Sequence, residues 1–264
     1  MNTEHIYKVK DVIAAIEEFA PASLQEKWDN TGLCIGSPDS PVKSILLGLD
    51  CTPELVDEAV ACGADMIVTH HPLIFSGLKK ISPDNLVGKA VMKAIQAGIS
   101  VYAAHTSADK VMAGVSGAMA ARLGLVNVSV LEDEGDGFGL GAVGDFPEPV
   151  SAEEAVRLVK EKFSLRNLRA SKPVEGKISR VAMCGGSGSS LIEAARKSGA
   201  QLYLSGDISY HHFFTEEGFM IMDIGHYESE IEIVDILFSL LRKNFPTFAV
   251  RITQNIHSNP IFYY

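Results

Sequence analysis

One arrangement of elements occurs twice in this chain, and the doubling constrains its fold more than any other feature. Shifted by 136 positions without a gap, Leu55, Ala59, Gly63 and Ala64 fall on Leu191, Ala195, Gly199 and Ala200. The apolar run Ile45–Leu49 falls on Val181–Gly185, and Met66–Thr69 on Leu202–Ser205. Strand, turn, helix, Gly-Ala and strand therefore recur together. Unbroken apolar runs of this length suit strands covered on both faces. Helices alternating with them indicate parallel βαβ units. The expected fold class is α/β, with two related α/β halves whose mainly parallel sheets face a shared cleft.

Local signals fill in the rest. Val12, Ile13, Ile16 and Phe19 give an amphipathic helix over Val9–Ala20, stopped by Pro21. Trp28-Asp29-Asn30-Thr31-Gly32-Leu33 reads as a loop, with Trp28, the chain's one tryptophan, expected to anchor it on the core. Thr52-Pro53-Glu54 opens a helix that Gly63 closes. Asn85–Ala97 and Val111–Leu123 read as helices, Ile99–Ala104 as a strand. Val128–Val130 and Leu140–Val143 read as strands around an acidic, glycine-rich turn, Glu132–Gly139, before a helix from Ser151 to Phe163. The expected division is a first half over 1–125, middle strands and a helix over 126–176 as an edge extension, and a second half over 177–264, packed with the first as one unit.

The net charge of −10 argues against a nucleic-acid partner, because phosphate binding wants a basic surface. No apolar run approaches the roughly 18 residues needed to span a bilayer. Met1–His5 lacks the basic and apolar regions of a signal peptide, so a cytoplasmic location is expected. Four scattered cysteines, Cys34, Cys51, Cys62 and Cys184, are expected to be buried free thiols.

Chemistry collects where strands of an open α/β sheet end. Met66–Thr69 stops at His70-His71-Pro72, and Ile99–Ala104 stops at His105, with Asp109 four residues on. In the second half Phe219–Ile224 stops at Gly225-His226, with Glu230 four residues on. Residues i and i+4 share a helix face, so His226 and Glu230 can grip one ion. His70, His71, Asp109, His226 and Glu230 thus form a candidate metal set, making the expected cleft a metal-binding one. Five ligands exceed the usual three of one catalytic zinc and suit two divalent ions about 3.5–4 Å apart. Zinc, iron(II), manganese and cobalt all accept such donors.

These motifs together resemble the NIF-three-like family, whose members are commonly catalogued as GTP cyclohydrolase 1 type 2 homologues. The resemblance rests on Trp28–Leu33, Gly63-Ala64-Asp65 with His70-His71-Pro72, His105-Thr106 with Asp109, and Gly225-His226 with Ser229-Glu230. It implies two divalent metal ions per subunit, with His71 and Asp109 on one, His70 and His226 on the other, and Glu230 bridging. It also implies a toroidal homohexamer. Members often carry asparagine where this chain has Ser107 and Ser116. Those changes leave the ligands intact and alter residues that would meet substrate.

Around the ligands, His105, Asp207, His211 and His212 are candidate supporting residues. His105 is expected to orient Asp109 or line the pocket. Asp207 is either a general base or a cap. His211 and His212 serve either the pocket or a core or interface role. Gly185–Ser190 reads as a phosphate cradle before a helix, although it lacks the Walker lysine and the dinucleotide spacing. The expected function is a dinuclear metal-dependent hydrolase acting on a nucleotide or related phosphorylated small molecule. A non-catalytic metal-binding scaffold or trafficking protein is the alternative.

Overall fold

The computed structural model describes residues 6–254 and 259–262, so the opening segment Met1–His5 lies outside the described residues. The strands are, in order, β1 (Gly32–Ile35), β2 (Ser44–Gly48), β3 (Met66–Thr69), β4 (Ser100–Ala103), β5 (Val126–Gly135) and β6 (Phe138–Ser151). There follow β7 (Arg169–Ala170), β8 (Lys177–Ser187), β9 (Leu202–Gly206), β10 (Met220–Asp223) and β11 (Ala249–Ile252). They make two sheets, one in each of two compact units.

Of the described residues, the first unit contains those up to Ala108 and those from Ile233 on. Its sheet runs β1-β4-β3-β2-β11, with every pairing parallel except that of β1 with β4. Residues of β2, β3 and β4 are buried throughout, as their unalternating apolar sequences require. The helix Pro53–Cys62 between β2 and β3 starts where Thr52 Oγ1 accepts from the Leu55 amide at 3.2 Å. It stops at Gly63, in the left-handed conformation that glycine adopts without a Cβ clash.

The second unit spans Asp109–Glu232. Its sheet runs β5-β6-β8-β9-β10-β7 and is parallel only through β8, β9 and β10. The doubled pattern is thus physical: β2-β3-β4 in one sheet and β8-β9-β10 in the other are parallel triplets with the same connectivity. The hairpin β5–β6 is longer than its sequence suggests. The expected turn Glu132–Gly139 is mostly strand, because Asp136 and Gly137 both take positive φ (55° and 76°) and reverse the chain in two residues.

The division differs from the expected boundaries at 125/126 and 176/177. The middle segment supplies β5, β6 and β7, which extend the second sheet at both edges. The last segment returns to the first unit, where β11 pairs with β2 in parallel. Helix Glu232–Asn244 buries Ile233, Val234, Leu237 and Leu241. A pairing between segments some 200 residues apart leaves no local trace in the sequence. The cysteines are free thiols, as expected, with Cys51 and Cys184 buried and Cys34 and Cys62 half-buried. No helix among the described residues is long and apolar enough to cross a membrane.

Candidate functional site

In the first unit Thr69 and Ala103 are register partners, so β3 and β4 release their histidines at one sheet edge. His70 is fully buried. The next residue is locked by its own backbone: the His71 amide donates to Leu49 O at 2.9 Å, and Thr69 Oγ1 donates to His71 O at 2.8 Å. The rings of His70 and His71 lie 5.0 Å apart, and that of His105 lies 5.4 and 5.5 Å from them. Three imidazoles from two strand ends therefore gather at one place.

Two of them are held by carboxylates. His71 Nδ1 lies 2.8 Å from Asp50 Oδ1, and His105 Nδ1 lies 2.6 Å from Asp29 Oδ1. Asp29 is the centre of the Trp28–Leu33 loop. It accepts from the Thr106 amide and hydroxyl, the Asn30 amide and the Thr31 hydroxyl. Burial alone would raise its pKa, but the hydrogen bonds from His105 and Thr106 overcome that and hold the carboxyl well below the usual range. Asp29 is thus an anion, and a neutral His105 places its proton on Nδ1. His105 is oriented by Asp29 and lies against His70 and His71.

In the second unit one helical turn, His226–Glu230, follows β10. It brings His226 Nε2 to 3.0 Å from Glu230 Oε2, the convergence that the i, i+4 spacing predicts. His226 Nδ1 lies 2.8 Å from Asp207 Oδ2. Asp207 takes positive φ (53°), which aspartate tolerates better than most residues, and that bend carries its carboxylate to His226. Asp207 is thus a carboxylate that holds an imidazole. Asp109, half-buried, ends the turn His105–Asp109. Burial above all, and next the charges of Asp109 and Glu230, push the Cys184 thiol up. His211 and His212 are exposed on the short helix Tyr210–Phe213, against Tyr210 and Ser209 respectively.

The Gly185–Ser190 loop is not an open anion cradle. Its Gly186 amide donates to Ser229 Oγ at 2.9 Å and its Gly188 amide to Ser205 Oγ at 3.0 Å. Tyr203 and Ser205 hydroxyls close on Gly188 O and Gly186 O. The helix beyond, Ile192–Lys197, is short. These glycines make room instead. A Cβ on Gly186 would lie 2.1 Å from Glu230 Oε1, and one on Gly206 would lie 2.7 Å from the backbone of His226. Gly206 is the repeat counterpart of His70, so the second half gives up a histidine where the His226 backbone passes.

The sequence did not reveal Asp29 and Asp50 as histidine partners. Asp50, at the end of the run Ser44–Asp50, and the position of Asp29 beside Trp28 were the available signals. A carboxylate on Nδ1 fixes that side of the ring and leaves Nε2 on the opposite side, the arrangement that metal-binding histidines adopt. His71 in the first unit and His226 in the second share it. Imidazole and carboxylate donors of this kind fit a divalent transition metal.

Residues 7–260 match the Duf34/NIF3 (NGG1p interacting factor 3) family. A Clostridium acetobutylicum protein named GTP cyclohydrolase 1 type 2 homolog is 38% identical over 228 residues, covering 84% of this chain and 85% of that protein. The crystal structure of a Bacillus cereus protein related to NIF3 shares the fold at a TM-score of 0.90 and 24% identity, covering 99% of this chain and 100% of that one. A Staphylococcus aureus hypothetical protein gives a TM-score of 0.89 at 27% identity, over 98% and 100% of the two chains. A family match over nearly the whole sequence, with a relative above one-third identity, makes this chain a member of the Duf34/NIF3 family.

Proposed function

We propose that the chain is a metal-dependent hydrolase with a dinuclear centre, acting on a nucleotide or a related phosphorylated small molecule. The observation that carries this reading is the setting of His226, with Nδ1 on Asp207 and Nε2 beside Glu230. His71 repeats it in the first unit through Asp50. In this proposal His71 and Asp109 would hold one ion and His70 and His226 the other, with Glu230 serving both. A bound pair of divalent ions supplies acidified water and polarisation of the bond attacked. The chain's own work is positional. Asp50 and Asp207 fix the tautomers of His71 and His226. His105, held by Asp29, offers Nε2 as the atom that moves a proton beside His70 and His71. The name shared by relatives at 36–38% identity, GTP cyclohydrolase 1 type 2 homolog, supports a guanine nucleotide as the first substrate to try. A toroidal homohexamer in the cytoplasm belongs to the same proposal.

Elemental analysis of protein purified without added metal tests the centre and decides among zinc, iron, manganese and cobalt. The expected result is about two ions per chain. In that metal, turnover of GTP or a phosphoester should disappear in Glu230→Ala. Undiminished turnover in that variant would refute the site. Full metal content with no turnover of either substrate class would favour the non-catalytic scaffold instead.

A further inference from the structure

Trp28 was expected to anchor its loop on the core, yet it is 59% exposed, and Phe75 beside it is 53% exposed. Their ring centroids are 5.7 Å apart with a 41° tilt, so they form one aromatic surface rather than two separate side chains. Each also meets His105 edge-on at 6.0 Å, with interplanar angles of 75° and 72°. All three rings belong to the first unit. We propose that Trp28 and Phe75 form a platform on which a planar heteroaromatic ring of the substrate stacks, with His105 Nε2 facing the polar edge of that ring.

Three observations separate this surface from an incidental apolar patch. The first is rigidity. Asn30 Nδ2 donates to Ile74 O at 2.6 Å, fastening the Trp28 loop to the segment that carries Phe75. The Thr31 amide donates to Gln25 Oε1 at 3.0 Å, fixing the loop from its other side. A platform ordered before binding loses little freedom on binding. The second is the polar neighbour. With Nδ1 committed to Asp29, His105 keeps one ring nitrogen for a ligand, as a base edge or other ring heteroatom requires. The third is location, because the His105 ring lies 5.4 and 5.5 Å from those of His70 and His71. A ring stacked on Trp28 would hold the rest of the molecule beside His70 and His71. Aromatic faces accept any base, so the platform recognises the class of planar heteroaromatic rings and not guanine in particular.

The idea rests on the hydrolase reading only for its substrate role, since stacking itself needs no metal. The chain contains a single tryptophan, so its intrinsic tryptophan fluorescence reports on Trp28 alone. Full-length protein would be titrated with guanosine 5′-monophosphate, adenosine 5′-monophosphate and ribose 5-phosphate, with and without chelator. Saturable quenching by both nucleotides but not by ribose 5-phosphate is expected, and it should survive chelation. By calorimetry Trp28→Ala should bind nucleotide roughly five- to 150-fold more weakly, and Trp28→Phe should recover most of that loss. Quenching by ribose 5-phosphate alone, or equal affinity in Trp28→Ala and the parent, would overturn the proposal. So would self-association that Trp28→Ala abolishes with no nucleotide binding by the parent, which would assign the surface to a second copy. Quenching that persists while metal-dependent turnover is absent would refute the hydrolase and leave the platform standing.

Discussion

Gly186→Ala separates the geometry of Glu230 from the stability of the fold. Gly186 has φ +62°, in the left-handed region, where a residue with a Cβ costs about 1–2 kcal/mol. In a chain of this size that strain lowers Tm by about 2–8 °C. The contact is the larger effect. A Cβ there would stand 2.1 Å from Glu230 Oε1 and 3.3 Å from His226 Cε1, so the carboxylate must retreat by roughly 1 Å to reach ordinary contact. Displacements of that size cost on the order of a hundredfold in rate. Gly63→Ala supplies the control. Its φ is +67° and nothing lies within 4 Å of the added Cβ, so it carries the strain without the contact. Calorimetry for Tm and elemental analysis for bound metal should show both variants losing a few degrees and only Gly186→Ala losing metal. Equal metal content in the two variants would refute the role given to this glycine.

Asp207→Asn should weaken metal retention by about 10–100-fold, read by competition with a chromogenic chelator, while Tm measured with the metal removed changes little. An unchanged affinity would mean that Asp207 does not orient His226. Asp29→Asn should cost about 1.5–3 kcal/mol at neutral pH. Because the folded state depresses the Asp29 pKa, its contribution is present above the unfolded value near 4 and is lost as pH falls below it. Denaturant melts across that range should therefore show a shallower acid decline in the variant, and parallel curves would contradict the assignment. Thr52→Ala, which removes the Oγ1 that caps helix Pro53–Cys62, should cost about 1 kcal/mol by the same melts.

Much of the candidate site was readable in one dimension because its residues sit at strand ends. The His70-His71-Pro72 stop, and a carboxylate four residues after His226, are consequences of strand termination and helical pitch. Other parts were not readable. The Gly185–Ser190 loop has the composition of an anion cradle, but whether its amides are free depends on Ser205 and Ser229, which arrive from elsewhere. That His211 and His212 stand exposed on the short helix Tyr210–Phe213, rather than in a core, is likewise set by folding and not by residue type. Trp28 looked like an anchor by its size alone, and only the folded loop shows it turned outward.

By itself the sequence determined the periodic and local features: the two βαβ triplets, the Thr52 and Gly63 caps, and the histidines and carboxylates placed at strand ends. Those follow from side-chain period, backbone conformation and hydrogen bonds between near neighbours. The tertiary structure alone decided that β11 returns to β2, that Asp29 holds a histidine 76 residues away, and that Gly206 stands where its repeat has His70. Such choices depend on which distant segments close on one another, and that is set by burial of the whole sheet rather than by any stretch of chain.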